Sequence, residues 1–337
     1  MMRYRPLAGG RLPDVSVVAL GTMSVAAGAM HPAVEADRAA RTIRQAVECG
    51  INLIDTAPSY GDGESEARLG NALRDGEVAR ERIVIATKAS GPTLSRAEIL
   101  ADCESSLARL RTDYIDLYQL HWRRDAVPMS ETFDALHALQ RSGKVREIGV
   151  CNFGPRDLRD AWSVGGMPVT DQVAYSLLSR GVEFALAPLC VERGIGLLCY
   201  SPLAQGMLTG KYRTIDALPP ERCRARHFAG ARPMSRHGEP GCEPALFAAL
   251  DALNEIAGEL NCTMSDLAIA WLLRQPAVTS VLCGASTPEQ VQANVRAVDL
   301  HLDAQTLDRL DVATAAVKAH LGDNLDLWQG RSNSRIH

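Results

Sequence analysis

The chain has 337 residues, of which 46% are hydrophobic and 23% are charged, and its formal net charge is -4 at pH 7. This length and composition allow a large buried core, which excludes a disordered or fibrous protein. The nearly balanced charge and the lack of long Lys or Arg runs argue against nucleic acid and membrane surfaces as partners. The sequence shows neither a secretion signal pattern nor a bilayer-spanning apolar stretch, so we expect a cytoplasmic protein.

Nine cysteines are spread along the chain without a C-x-x-C pair. Their number is odd, and several lie in apolar segments such as LLCYS and VLCGA. We therefore predict reduced, packed thiols rather than disulfides or a zinc site.

Apolar runs typical of buried strands alternate with segments typical of helices along most of the chain. The first predicted strand is VSVVALGT, residues 15–22, and a helix follows at about 33–49. The next four strands are NLIDTA, IVIATK, YIDLYQLH and REIGVCNF, followed by helices over 64–73, 96–110, 131–141 and 155–162. The sixth and seventh are VTDQVAY and IGLLCYS, with a helix around 184–193 between them. The eighth, VTSVLCGA, lies between the helical patterns MSDLAIAWLLRQ and PEQVQANVRAV.

Eight strand and helix pairs are the number that closes a (β/α)8 TIM barrel. An open doubly wound sheet is the alternative, but it requires a G-x-G-x-x-G turn after the first strand, which LGTMSVAAG does not supply. The stretch 202–244 is rich in Gly, Pro and Arg and too long for an ordinary connection. We predict one barrel domain over 1–337, with a functional excursion at 203–243 and a C-terminal tail at 299–337.

Four residues with complementary chemistry lie at or just beyond the ends of predicted strands: Asp55, Tyr60, Lys88 and His121. The carboxyl ends of barrel strands meet at one face, where the active sites of such barrels are built. Each residue also has an ordinary structural role. Asp55 could cap a turn, Tyr60 and His121 could pack at the rim, and Lys88 could reach solvent.

Together, the four residue types complete one mechanism. A free tyrosine has a pKa of about 10, which a neighbouring ammonium lowers, and a carboxylate keeps that ammonium charged. Asp55, Lys88 and Tyr60 form this sequence of groups, and His121 would orient a carbonyl or share the proton with Tyr60. The predicted reaction is reversible carbonyl reduction, in which a hydride reaches carbon and a proton reaches oxygen.

Six segments that follow one another in the chain point to a known family. They are DTAPSYGDGESEARLG, ATK, RLRTDYIDLYQLHW, GKVREIGVCNF, YSPLAQGMLTGKY and SVLCGASTPEQVQANV. With these motifs in this order, the sequence resembles the aldo-keto reductase superfamily over most of its length. The resemblance implies a barrel that binds a nicotinamide dinucleotide without a Rossmann domain, and a catalytic tetrad of Asp55, Tyr60, Lys88 and His121.

The resemblance also implies contacts to the nicotinamide end of the cofactor. Asn152 and Gln172 match the pair of residues that holds the carboxamide. Amide side chains suit this role because they donate and accept hydrogen bonds at once. Tyr200 matches the ring that stacks on nicotinamide. Cys151 stands where many relatives have Ser, and we assign it to packing.

Further cofactor contacts are implied on the phosphate and adenosine side. They comprise Gly284, Ser286, Thr287, Gln290 and Asn294 around a helix N-terminus, where backbone N–H groups favour an anion. Lys211 and Arg224 resemble basic residues of the potassium-channel β-subunit branch, which would fold over the pyrophosphate. Many relatives carry Arg or Lys near Thr287 to bind the 2'-phosphate of NADP. Without it NAD is possible, and we predict NADPH. As ordinary caps, surface amides and solvated cations, these residues would need no ligand.

The substrate is less well defined by the sequence. Met23, Trp122 and Trp328 are expected near the barrel mouth, and Arg123 and Arg124 would either attract an anionic group or be solvated. Two functions stay open. One is an NADP-dependent reductase or dehydrogenase of small carbonyl or alcohol compounds, and the other is a cofactor-loaded regulatory or binding subunit with little turnover. The sequence gives no prediction of oligomeric state.

Overall fold

A short antiparallel hairpin, β1 (Tyr4–Arg5) and β2 (Val15–Ser16), precedes the main sheet in the computed structural model. The structure describes residues 1–7, 10, 12–26, 34–76 and 78–337. Within this part of the chain, eight parallel strands form a closed barrel, in which β10 pairs with β3 to complete the circle. The predicted (β/α)8 TIM barrel is confirmed. The barrel strands are β3 (Val18–Gly21), β4 (Leu53–Asp55), β5 (Val84–Ala89), β6 (Ile115–Leu120), β7 (Val145–Cys151), β8 (Thr170–Ala174), β9 (Gly196–Tyr200) and β10 (Val278–Gly284).

Helices cover the outside of the barrel. They are α1 (Ala36–Glu48), α2 (Glu64–Arg74), α3 (Arg96–Leu110), α4 (Met129–Arg141), α5 (Pro155–Ser163), α6 (Leu186–Arg193), α7 (Glu243–Glu259), α8 (Met264–Leu273), α9 (Pro288–Arg296) and α10 (Ala304–Leu321). A large apolar cluster fills the space between the strands and these helices. In the part of the chain that the structure describes, no helix has the length and apolar character needed to cross a bilayer.

The inside of the barrel is divided into an apolar end and a polar end. Small and branched side chains from the strands pack with Leu7, Leu12 and Val15 of the N-terminal segment. Because this segment closes the amino-terminal end of the barrel, the polar residues at the carboxyl ends of the strands are left facing the opposite opening. That opening is where barrel enzymes bind their substrates.

The prediction of one continuous first strand over residues 15–22 is wrong. Val15–Ser16 belongs to the hairpin, Val18–Gly21 to the barrel, and Thr22–Val25 forms a short 3-10 helix. The Asn52 side chain accepts from the Ser16 backbone N–H at 2.7 Å, and the Ser16 hydroxyl accepts from the Asn52 N–H at 3.1 Å. Ser16 thus pairs with Tyr4 in the hairpin and also bonds to Asn52, so the apolar run is divided between the hairpin and the barrel.

The other differences lie at element boundaries and in the last third of the chain. The predicted start of the first helix at Ala33 lies outside the described residues, and α1 begins at Ala36. Helices α7 and α10 were not predicted, although they pack against each other. The predicted tail 299–337 therefore contains a long helix, and the excursion 203–243 contains three short 3-10 helices within otherwise irregular chain. That 1–337 form a single domain stays a prediction.

Candidate active site

The tetrad residues lie together at the carboxyl ends of β4, β5 and β6. Lys88 is fully buried, and its Nζ donates to the two carboxylate oxygens of Asp55 at 2.8 and 2.9 Å. It also donates to the Thr56 carbonyl at 2.8 Å and lies 3.2 Å from the Tyr60 hydroxyl oxygen. A buried ammonium therefore joins the carboxylate of Asp55 to the phenol of Tyr60.

Burial and charge act in opposite directions on Tyr60. Burial raises the pKa of its phenol to about 12, while Lys88 acts to lower it. The expected net lowering of this pKa by Lys88 is therefore not found, because removing a phenolate from water costs more than the ammonium returns. Burial also acts to lower the pKa of Lys88, but Asp55 and Tyr60 together hold it above its usual value. Near neutral pH, the site contains a neutral phenol and a charged ammonium.

His121 lies beside Tyr60, with the two ring centroids 6.1 Å apart and the ring planes at 83°. Its backbone N–H donates to the Ala89 carbonyl at 3.0 Å, and its own carbonyl accepts from Asn152 Nδ2 at 3.1 Å. Burial, with the charges of Lys88 and Arg124, lowers the pKa of the imidazole to about 3. The ring is therefore neutral at physiological pH.

The two predicted carboxamide-binding amides are fixed by neighbours in the same cluster. Gln172 Nε2 donates to Asp55 Oδ1 at 2.6 Å, and the Tyr200 hydroxyl donates to Asn152 Oδ1 at 2.8 Å. Asn152 has a φ of 58°, a left-handed conformation that Asn tolerates better than most residues. Each amide retains hydrogen-bonding capacity that these contacts do not use.

A cavity of about 360 Å³ opens above this cluster. Asp55, Tyr60 and His121 line it, whereas the buried Lys88 acts from behind them. Asn152, Gln172, Tyr200, Arg224 and Gly284 also contribute to its wall, as do Met23, Trp122 and Trp328. Sequence reasoning missed two of its neighbours: Arg222, which lines the wall, and Ser90, whose hydroxyl contacts His121.

Five of the predicted cofactor residues do not line this cavity in the described part of the chain. Ser286, Thr287 and Gln290 are hydrogen-bonded to one another at the start of α9, where Thr287 Oγ1 accepts from the Gln290 N–H. Asn294 Nδ2 donates to the Gly284 carbonyl at 3.3 Å, which fixes the loop before that helix. Lys211 lies with its Nζ 4.8 Å from the centre of the Tyr212 ring.

The excursion brings two arginines, Arg222 and Arg224, to the cavity. Arg222 Nη1 donates to the Gln205 carbonyl at 2.8 Å, and both Arg222 and Arg224 line the wall. Burial and the charges of Arg236 and Arg222 lower the pKa of the Arg224 guanidinium. An anion bound among these like charges would relieve their repulsion.

The C-terminal tail supplies aromatic surface to the cavity. The Trp328 ring is parallel to that of Tyr200, at 4° and 6.2 Å between centroids. The Arg335 guanidinium lies 3.9 Å from the centre of the Trp122 ring and forms an ion pair of 2.7 Å with the buried Asp326. These contacts fix both tryptophans at the rim.

The last residue in the sequence is docked on the first turn of α5. The backbone N–H groups of Arg156 and Asp157 donate to the His337 oxygen at 3.0 and 3.1 Å. Arg123, a candidate for attracting an anionic substrate, is paired with Asp125, Asp157 and Asp160. Its charge is therefore already used in holding the rim together.

Sequence comparisons identify the family of this chain. The model of the aldo/keto reductase family matches residues 17–315. An NADH-specific methylglyoxal reductase from Escherichia coli is 34% identical over 310 residues, which cover 86% of this chain and 91% of that protein. A probable voltage-gated potassium channel subunit beta from Arabidopsis thaliana is 33% identical, with coverage of 74% and 79%.

Solved structures agree as well. The aldo-keto reductase from Klebsiella pneumoniae, solved in complex with NADPH, is 30% identical and has a TM-score of 0.71. The match covers 92% of this chain and 95% of that one. The predicted enzyme class, an NAD(P)-dependent oxidoreductase, is confirmed by the family match and the named reductases. This chain belongs to the aldo/keto reductase family.

Proposed function

We propose that this protein is an NADPH-dependent reductase of small aldehydes or ketones, and that it oxidises the corresponding alcohols in reverse. Tyr60 is the general acid and base of the reaction. The observation that carries this proposal is the contact of Lys88 Nζ with the Asp55 carboxylate on one side and with the Tyr60 hydroxyl on the other. Such an arrangement stabilises negative charge on the phenolic oxygen after it gives up its proton.

The roles follow from the protonation states at neutral pH. With a pKa of about 12, the Tyr60 phenol keeps its proton until a carbonyl oxygen needs it. The nicotinamide, when bound, supplies the hydride. As charge develops on the carbonyl oxygen, the proton moves to it from Tyr60 Oη, and the phenolate that remains faces the Lys88 ammonium. Asp55 keeps Lys88 charged and fixed in position.

The residues of the cavity fit a nicotinamide cofactor. Asn152 and Gln172 retain donor and acceptor capacity for a carboxamide, and the Tyr200 ring offers an aromatic face. Arg222 and Arg224 lie on the same wall and carry charge that suits phosphate groups. This combination of amide and guanidinium groups suits the carboxamide and the phosphates of a dinucleotide.

We favour NADPH over NADH because of the mutual repulsion among the arginines of the excursion. The lowered pKa of Arg224 reflects burial and the nearby Arg236 and Arg222, and a 2'-phosphate would bring negative charge close to these cations. The NADPH complex of the Klebsiella reductase supports this choice, and the NADH-specific reductase of Escherichia coli keeps NAD as the alternative cofactor. Lys211, Ser286, Thr287, Gln290 and Asn294 are proposed as further contacts, with a role in holding the phosphates and adenosine.

Turnover with a panel of carbonyl compounds tests the proposed function. The purified protein should bind NADPH tightly and oxidise it when small aldehydes, including methylglyoxal and glyceraldehyde, are added. Tyr60→Phe should bind NADPH equally well and turn over very slowly. Tight binding without turnover of any carbonyl or alcohol by the wild type would contradict the proposal, and would favour the alternative of a cofactor-loaded regulatory or binding subunit. The Arabidopsis relative named as a probable channel subunit beta is consistent with that alternative.

A further inference from the structure

Ser90, two residues after Lys88, contacts the imidazole of His121, which faces the cavity. Ser90 Oγ lies 2.9 Å from His121 Nδ1. His121 lines the cavity, and within the described chain the structure gives its Nε2 no hydrogen bond. The two ring nitrogens therefore have different surroundings: Nδ1 faces a hydroxyl group of the protein, and the other nitrogen is available to a ligand.

The backbone at Ser90 is fixed by α3. The backbone N–H groups of Ser90 and Gly91 both donate to Asp102 Oδ2, at 3.1 and 3.0 Å. Asp102 lies in the middle of α3, which packs on the outside of β5. The backbone that carries the hydroxyl is thus fixed by a helix of the barrel wall, and the hydroxyl itself contacts His121.

A neutral imidazole carries one proton, and the partner of one nitrogen decides which nitrogen holds it. The 2.9 Å contact allows either the hydroxyl to donate to Nδ1 or Nδ1–H to donate to the hydroxyl. If the hydroxyl donates, the ring proton is on Nε2 and can be given to a carbonyl oxygen. If Nδ1–H donates, the lone pair of Nε2 would face the lone pairs of that oxygen and repel it.

We propose that Ser90 is a positioning residue for the reaction: its hydroxyl donates to His121 Nδ1 and so keeps the imidazole proton on Nε2, where it binds the carbonyl oxygen of the substrate. This inference rests on the proposed function. With Ser90 in this role, the carbonyl oxygen accepts two hydrogen bonds, one from His121 and one from Tyr60. The lowered pKa of His121 agrees with a ring that keeps one proton and does not gain a second at physiological pH.

The charged and titratable groups around the ring do not replace this role. Lys88 Nζ is directed to Asp55, Thr56 and Tyr60, and Arg124 acts on the ring through its charge. Ser90 is the group that the structure places within hydrogen-bonding distance of Nδ1 in the described chain. The tautomer of His121 is therefore expected to depend on this one hydroxyl.

Nitrogen NMR of the resting protein tests the inference without turnover. Long-range proton–nitrogen spectra distinguish the two tautomers of a histidine, and loss of one signal set in His121→Gln assigns the ring among the eight histidines. We expect the Nε2–H form to dominate in the wild type and in Ser90→Thr, and the Nδ1–H form to gain in Ser90→Ala. Ser142→Ala, at an exposed serine just past the end of α4, is the matched control.

Kinetics then link the tautomer to the reaction. Ser90→Ala should lower kcat/KM for carbonyl reduction by about 3- to 10-fold, the factor that one neutral hydrogen bond contributes. Ser90→Thr should restore most of the loss. In a His121→Gln background, Ser90→Ala should add little, because its effect acts through the imidazole.

The outcomes separate this inference from the proposed function. If the wild type reduces carbonyls but Ser90→Ala leaves both tautomer and rate unchanged, the role of Ser90 is wrong and the proposed function stands. An Nδ1–H form that dominates in the wild type would overturn the inference in the same way. If the wild type reduces no carbonyl at all, both fail.

Discussion

Replacement of Tyr60 by Phe removes one oxygen atom and tests the mechanism most directly. The Tyr60 hydroxyl is one of the groups around Lys88 Nζ, which keeps the two Asp55 oxygens at 2.8 and 2.9 Å and the Thr56 carbonyl at 2.8 Å in the variant. The buried ammonium therefore stays paired, and the free energy of unfolding should fall by about 1 kcal/mol or less. Loss of the acid should lower kcat by about 100- to 10,000-fold.

Two quantities are measured for the wild type and for each variant. They are the single-turnover rate at saturating NADPH and the dissociation constant of NADPH from fluorescence titration. Tyr114→Phe is a suitable control, because Tyr114 packs between the guanidinium groups of Arg80 and Arg146, each 3.9 Å from its ring centre. We expect the Tyr60 variant to lose the chemical step and to keep NADPH affinity. If Tyr60→Phe retained more than about a tenth of the wild-type rate, Tyr60 would not be the acid.

Three further predictions use other features of the structure. Because the Tyr60 phenol is protonated below its pKa of about 12, the kcat of reduction should be constant from about pH 6 to 9. The kcat of alcohol oxidation, which needs the phenolate, should rise roughly tenfold per pH unit over the same range. A kcat of reduction that falls near neutral pH would contradict this prediction. Arg224→Ala should weaken NADPH binding by about 10- to 100-fold and NADH binding far less, and titration showing equal losses would refute a 2'-phosphate contact. Gly70→Ala should destabilise the fold by about 1–3 kcal/mol in urea unfolding, because the new methyl group would meet the Arg109 and Leu110 backbone. The matched change Gly258→Ala, with open space around an exposed helix position, should stabilise by about 0.5–1 kcal/mol, and equal effects of the two changes would refute the packing argument.

Local signals in the sequence were sufficient where a structural element depends on its own residues. The predicted helix 96–110 has the bounds of α3, which begins after Ser95 as the cap and ends at Arg111 with a φ of 54°. The four candidate residues were found for a similar reason, since each stands at or shortly after the end of a recognisable apolar run. In contrast, the break at Ser16 depends on Asn52, a residue far along the chain.

The parts of the site that were not predicted depend on distant contacts or on the balance of opposing energies. Residue types alone indicate whether each neighbour raises or lowers the pKa of Tyr60. Only the burial of Tyr60 in the folded protein shows that desolvation raises this pKa more than Lys88 lowers it. No sequence signal identifies Ser90 as a site residue, because its contact with His121 forms only when β5 pairs with β6 in the barrel. Trp328 was expected near the mouth, but its parallel contact with Tyr200 requires the folded tail.

The docking of the tail on α5 implies that two parts of the cavity differ in their resistance to local unfolding. Asp55 and Lys88 lie on the adjacent barrel strands β4 and β5, and Tyr60 and His121 follow shortly after β4 and β6. We expect the hydrogen bonds of these strands to open only with the barrel as a whole. Trp328 instead belongs to a segment attached by a few hydrogen bonds, such as those of the Arg226 N–H to the Leu327 carbonyl and of the His337 N–H to Asp157, 180 residues away. We expect amide hydrogens of the tail to exchange well before those of the strands, because such a segment can open locally. The aromatic wall could then open and close around a substrate while the acid and its ammonium remain in place.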